Sequence, residues 1–187
     1  MSKNKTKLKQ GDILLAQPFM EDTNFKQAAI LLTDYHDTGS VGFILNKPLE
    51  MNVGDLLASF PEFDSPVFYG GPVANDTIHY LHTVGELLEG SHYVLNGVYW
   101  GGDYDKLKFL IRTELIKPSQ IKFYVGYSGW SPQQLEEELE TGSWVVAYGD
   151  PNYVFKSDHQ KLWKQVMMNK SDVFSILSEI PDSINLN

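Results

Sequence analysis

The feature that most constrains this chain is a succession of apolar runs too short to be helices. Asp12 to Ala16, Ala28 to Thr33, Val41 to Leu45, Val67 to Tyr69, Thr77 to Thr83, His92 to Leu95, Ile121 to Val125 and Ser143 to Tyr148 are each strand-sized. Several follow one another without room for a helix, whereas a parallel pair needs a crossover of about a dozen residues or more. The expected fold class is therefore α+β, with a mixed, mainly antiparallel sheet rather than a doubly wound parallel one. Asp37-Thr38-Gly39-Ser40 supplies the turn between the second and third runs, because Gly39 can take positive φ and Asp37 can bond its own turn.

Helices are marked by their ends. In Ser131-Pro132-Gln133-Gln134 the serine is placed to cap, the proline to take N1 and Gln134 to reach back, and Gly142 stops the helix. Only Leu135 and Leu139 form an apolar pair there, so Glu136, Glu137, Glu138 and Glu140 are expected on a solvated face. Asp103 is expected to cap a helix running to about Leu115, with Leu107, Leu110, Ile111 and Leu115 at helical spacing. A shorter helix fits Val53 to Ser59 after Asn52, and two apolar stripes follow late in the chain. These are Leu162, Trp163, Val166 and Met167, then Val173, Phe174, Ile176, Leu177 and Ile180 after Ser171.

Without repeats or a low-complexity linker, the 187 residues are expected to form a single domain over 11–187 behind a basic flexible tail at 1–10. The tail holds Lys3, Lys5, Lys7 and Lys9 and no acid. It conceals how anionic the remainder is: the net charge of minus 9 resolves into 11 basic groups against 24 acidic ones, or minus 13, beyond residue 10. Arg112 is the one arginine, so the forked donor that grips phosphate and guanine is nearly missing, and direct DNA binding is disfavoured. The absence of cysteine excludes disulfides, thiolate nucleophiles and Cys-ligated metals. No secretory leader or run of about 18 apolar residues is present, which makes a cytoplasmic protein with no membrane contact the expectation.

The candidate chemistry is sparse. Gly126-Tyr127-Ser128-Gly129-Trp130 approaches the G-x-S-x-G nucleophile elbow, but Trp130 stands where the second glycine is needed. A strand ending at Val125 and a two-glycine turn into the next helix account for it better. Trp100-Gly101-Gly102-Asp103 places two glycines before a helix start, where Asp103 is expected to satisfy the free amides itself. Gly70-Gly71-Pro72 reads as a sharp turn or a close backbone passage. His79 and His82 point to opposite faces if 77–83 is a strand, which opposes a two-histidine metal site. No catalytic constellation, metal site or cofactor is implied.

These pieces occur in a telling order. Gly11-Asp12-Ile13-Leu14-Leu15-Ala16-Gln17-Pro18 with Asp22 and Phe25 is followed by Gly42-Phe43-Ile44-Leu45-Asn46-Lys47-Pro48, Tyr69-Gly70-Gly71-Pro72-Val73 and Trp100-Gly101-Gly102-Asp103. Tyr124-Val125-Gly126-Tyr127-Ser128-Gly129-Trp130 then leads into Pro132, Gln134-Leu135-Glu136 and Trp144. The set resembles the AlgH-like family of bacterial proteins, often labelled transcriptional regulators of alginate biosynthesis. The resemblance implies an α+β fold whose bifurcated, mainly antiparallel sheet curls into a pseudo-barrel with a few flanking helices. It implies no established reaction. Where the family usually has glycine before Gln134 this chain has Gln133, expected at a helix N2 position that does not require glycine, and where it often has alanine this chain has Ser128.

The leading expectation is a protein that binds a protein or small-molecule partner through turns on a rigid sheet. Asn46, Pro48, Gly70, Gly71, Trp100, Asp103, Tyr127 and Trp130 are the candidate binding positions, with Asn46 tying adjacent loops through its amide. The alternatives are a transcriptional regulator contacting DNA through the lysine arm, and an enzyme on a small polar substrate using Asp103 or His79 as general base.

Overall fold

A computed structural model describes residues 7–170. In chain order these form β1 (Ile13–Ala16), β2 (Ala29–His36), β3 (Gly39–Ile44), β4 (Pro48–Asn52), α1 (Val53–Leu56), β5 (Pro66–Tyr69), β6 (Val73–His82), β7 (His92–Leu95) and β8 (Val98–Trp100). Then follow α2 (Tyr104–Arg112), β9 (Ile121–Trp130), α3 (Gln134–Glu140), β10 (Trp144–Ala147), α4 (Pro151–Phe155) and α5 (Leu162–Met168). The stripe at 173–180 lies outside the described residues.

The strands form one branched sheet in the order β10-β1-β2-β3-β9-β6-β8-β7, with β5 joining β9 from the side and β4 pairing β5. Every pairing is antiparallel except β5 with β9, as the α+β reading requires. The path does not close, but its ends approach. The Gln10 Nε2 donates to the Tyr93 and Val94 carbonyls of β7 at 2.7 and 3.2 Å, and Gly149, just past β10, packs between Gly11 and Leu95.

The branch point is in β9, which was expected to end at Val125 and instead continues through Trp130. Its first half lies between β5 and β6, with Phe123 opposite Val67 and Tyr80; its second half pairs with β3, Ser128 opposite Gly42. Gly126, at φ +64°, bends the strand between these two duties. There Gly70 and Gly71 cross it at backbone contact. A β-carbon on either would fall inside the van der Waals shell of the Gly126–Ser128 backbone, and one on Gly126 would stand 2.6 Å from the Gly71 carbonyl oxygen. The crossing is held by Gly70 N–H to the Val125 carbonyl (2.8 Å), and by Ile44 N–H and the Ser128 hydroxyl to the Gly70 carbonyl (both 3.0 Å). Ser128 is fully buried in that role and is not a nucleophile on an exposed elbow.

Curling divides the core. On the concave side Ile13, Leu15, Leu31, Phe43, Phe68 and Tyr124 pack with the α5 stripe Leu162, Trp163, Val166 and Met167, and the Trp163 indole donates to the Ala16 carbonyl at 2.9 Å. Ile121 and Phe123, on the opposite face of β9, pack under Leu107, Leu110 and Ile111 of α2. Leu14, Ile30, Leu32 and Ile44 meet Leu135 of α3, Trp130 and Trp144 in a third cluster, which Leu8 also enters. The packed chain is thus already under way before Gly11.

One helix start differs from expectation. α3 begins at Gln134, so Ser131 and Pro132 belong to the preceding turn, although Gln134 does reach back to accept from Ser131 N–H at 3.0 Å. Gln133 is the cap, at φ +68°, rather than an ordinary N2 residue. The family's glycine there has a backbone reason, since an L side chain in this conformation costs about 1–2 kcal/mol. Gly142 ends the helix as expected, at φ +80°.

Two substitutions separate required glycines from merely favourable ones. Gly71→Ala should destabilise by about 3 kcal/mol or more, because backbone rather than a side chain must yield. Gln133→Gly should stabilise by up to about 1 kcal/mol, the relieved strain exceeding the entropy lost. Urea denaturation of both variants beside the parent checks the pair.

Candidate functional site

The eight candidate positions do not converge. Asn46 ties loops as expected: its Oδ1 accepts from Ala29 N–H and its Nδ2 donates to the Gln27 carbonyl, both at 2.8 Å. The neighbouring Lys47 Nζ donates to the Thr23 carbonyl at 3.0 Å, so the loop between β1 and β2 is fastened to the end of β3. Pro48 opens β4 and is exposed, while Gly70 and Gly71 occupy the backbone crossing. Asp103 caps α2, its Oδ1 accepting from Lys106 N–H at 2.6 Å, which leaves the carboxylate engaged in structure.

Trp130 is buried, and its indole N–H donates to Glu138 Oε2 at 3.0 Å. The Trp144 indole donates to the same oxygen at 2.7 Å, with the two rings edge to face at 5.9 Å. Glu138 is therefore not part of a solvated acidic face. Glu136 is exposed, as expected, and its Oε1 accepts from the Tyr35 hydroxyl at 2.6 Å and pushes the phenol pKa up to about 12.

Trp100 and Tyr127 do meet, through a residue considered only as a base or ligand. His79 lies 5.3 Å from Phe43, 6.2 Å from Trp100 and 5.7 Å from Tyr127, ring centre to ring centre, and is the hub of a half-buried aromatic cluster. Its Nε2 is 2.9 Å from Thr77 Oγ1, whose own proton goes to the Ala74 carbonyl at 2.7 Å, so Nε2 is the donor. Burial lowers its pKa, and no carboxylate contributes to the shift. His82 faces the other way, fully buried and stacked on Tyr99.

Tyr127 also lines a cleft with Trp130. About 410 Å3 in volume, it runs between the β2–β3 hairpin and the end of β9, and Asp34, His36, Ser40 and Val73 complete its walls. His36 Nε2 is 2.7 Å from Asp34 Oδ1 at the rim. The turn that makes this possible is the expected one: Gly39 stands at φ +134°, and a β-carbon there would lie 2.8 Å from the Trp130 carbonyl. A second, more apolar groove of about 460 Å3 lies between Tyr35, Leu139 and Val146, with Lys7, the first described residue, on its wall. No cluster of three or more His, Asp or Glu suited to a metal occurs among the described residues, and no helix among them is long and apolar enough to cross a membrane.

The fold is thus a branched, curled α+β sheet with a glycine-mediated strand crossing. The chain belongs to the AlgH-like family, whose model matches residues 13–173. A UPF0301 protein of Chlorobium luteolum is 39% identical over 181 residues, covering 97% of this chain and 96% of its own. One from Chlorobaculum tepidum is 40% identical over 180 residues, covering 96% of each. The solution structure of AlgH from Pseudomonas aeruginosa superposes with a TM-score of 0.72 at 26% identity, over 97% of this chain and 98% of that one. A crystal structure from Corynebacterium diphtheriae shares the fold at TM-score 0.76 and 21% identity, over 96% and 95%.

The buried histidines make stability depend on pH. His82 Nε2 is 2.8 Å from the Gly101 carbonyl, which can only accept, and Nδ1 accepts from Val84 N–H at 3.2 Å, so the ring is the neutral Nε2–H tautomer. Burial lowers its pKa, as for His79, against the opposing Gly101 bond. The unfolded chain then takes up protons first: stability is full above about pH 6.5 and is lost as pH falls through the folded-state values. Thermal melts should show Tm falling between about pH 7 and pH 5, with a shallower slope in His82→Gln.

The Tyr124 hydroxyl offers a second check. It is buried with no hydrogen-bond partner among the described residues, and the side chain is enclosed between Phe43 and Phe68 at 5.4 and 5.9 Å. Tyr124→Phe should therefore stabilise by about 1 kcal/mol, measurable as a raised urea midpoint.

Proposed function

We propose that the protein is a binding module for a small, planar, neutral or cationic molecule, held in the cleft between the β2–β3 hairpin and the end of β9. One observation carries the reading: Tyr127 and Trp130 line the same concavity, with the Asp34–His36 pair at its rim. The Tyr127 ring supplies apolar contact area with few rotamers to freeze, and the rim pair supplies directional hydrogen bonds. The cleft walls are rigid, because the Trp130 indole is pinned to Glu138 and Tyr127 is wedged against His79. A net charge of minus 13 beyond residue 10 favours a neutral or cationic ligand over an anionic one.

The same charge weighs against direct DNA contact as the way a regulatory role would be exercised, since phosphate neutralisation supplies most non-specific affinity. Asp103, engaged as a helix cap, and His79, without a carboxylate to orient it, give little support to general-base catalysis.

Ligand-observed NMR against a panel of neutral and cationic heteroaromatic compounds tests the proposal. A hit should shift the backbone amides of residues 36–41 and 127–130, and Tyr127→Ala should weaken it about tenfold or more while leaving the fold intact. Hits that map elsewhere, or that bind Tyr127→Ala equally well, would overturn it.

A further inference from the structure

The cleft beside the β2–β3 hairpin owes its charge to an irregularity in strand pairing. β2 and β3 pair Leu32 with Gly42 and then Asp34 with Val41, so β2 accommodates one extra residue, Thr33. Thr33 is fully buried, and its Oγ1 donates to the Val41 carbonyl at 3.2 Å, which pins the bulge. A bulge of this kind re-aims the side chains that follow it. Here it sets Asp34 directly opposite Val41, where regular alternation would have set Thr33.

Val41 in turn pairs with Gly129 of β9, so Asp34, Val41 and Gly129 form one row across three strands on a single face. Gly129 has no side chain to fill its place in that row. The Tyr127 ring leans over it instead, its edge 3.2 Å from where a β-carbon on Gly129 would stand. Carboxylate and ring thus flank one hollow, two strand spacings or about 10 Å apart at the backbone. Among the described residues that line it, Asp34 is the one acid and no lysine or arginine is present.

The carboxylate is only partly engaged. Its Oδ1 is closed to solvent and, although His36 Nε2 stands 2.7 Å away, no donor among the described residues is aligned to hydrogen-bond it. His36 is the outer member of this pair, with 63% of its side chain exposed against 30% for Asp34. It is a cover that can swing into water without disturbing the core, and a donor that takes its place gains an under-satisfied acceptor.

We propose that the ligand of the cleft is a planar cation with paired N–H donors, of the amidinium or guanidinium class, and that Asp34 is the residue that selects it. This rests on the cleft being a binding site, as proposed above, and names the chemistry it accepts. Paired donors match the two oxygens of a carboxylate, forming two short charge-assisted bonds. The flat cationic plane lies against the Tyr127 ring, whose face attracts positive charge. An anion is repelled by Asp34, and a neutral planar molecule keeps the ring contact but forgoes the ion pair.

NMR titration of the intact chain with benzamidine, and with benzamide as its neutral counterpart of nearly the same shape, tests the assignment. Benzamidine should bind about tenfold or more tightly than benzamide and shift the backbone amides of residues 34–41 and 127–130. Asp34→Asn should bring benzamidine down to the level of benzamide, whereas His36→Ala, which uncovers Oδ1, should bind it at least as tightly as the parent. If Asp34→Asn does not fold, the ratio of the two probes on the parent protein decides alone. Equal binding of both probes in the parent cleft, a preference that survives Asp34→Asn, or weaker binding by His36→Ala would overturn the assignment while leaving the cleft a binding site. If neither probe shifts those amides, the cleft itself fails as a binding site and the assignment fails with it.

Discussion

The whole architecture depends on the backbone crossing where Gly70 and Gly71 pass over Gly126, Tyr127 and Ser128. At that point β9 stops being the neighbour of β5 and becomes the neighbour of β3, and a strand can change partners only if its backbone bends and another segment comes close enough to take its hydrogen bonds. Side chains on either segment would hold the backbones apart and cost the Gly70 bonds to Val125, Ile44 and Ser128. Three glycines and one buried serine hydroxyl meet that requirement. The exchange of partners lets the sheet branch, and the branch lets it curl around one apolar interior.

From the curl follows the disposition of everything that could act on another molecule. The strand end released by the crossing brings Tyr127 and Trp130 alongside the β2–β3 hairpin, forming a cleft against which the hairpin's Gly39 must press closely. The interior face collects His79, Trp100, Phe43, Tyr124 and Phe68 into one aromatic surface. Rigidity comes from polar anchors at the margin. Two indoles share one Glu138 oxygen, and Asn46 fastens a long loop by both ends of its amide. Such fixed walls suit recognition, because little ordering remains to be done on binding.

Much of this was legible in the chain. Each of the eight strand-sized runs overlaps a strand, and the opposite orientation of His79 and His82 follows from the period of two. Asn46 as a loop tie and Asp103 as a self-sufficient cap needed only the donor and acceptor inventory of their side chains. β8 could have been found, since Asn96-Gly97 is a two-residue hairpin turn and both residues take positive φ. β4 left no such signal: it starts with proline, is mostly exposed and pairs on one side with β5, so burial imposes no alternation on it. The extension of β9 was hidden by its glycines, which read locally as a turn and serve globally as a bend.

By itself, then, the sequence determined the fold class, the family, the cysteine-free chemistry and the strongly acidic body, because hydrophobic period, turn chemistry and charge are local or additive properties. Only the tertiary structure decided which of the turns meet, that Glu138 is a clamp rather than a solvated acid, and that Gln133 bears a left-handed backbone. These depend on contacts between residues far apart in the chain, and no local pattern encodes which distant backbone will arrive within hydrogen-bonding distance.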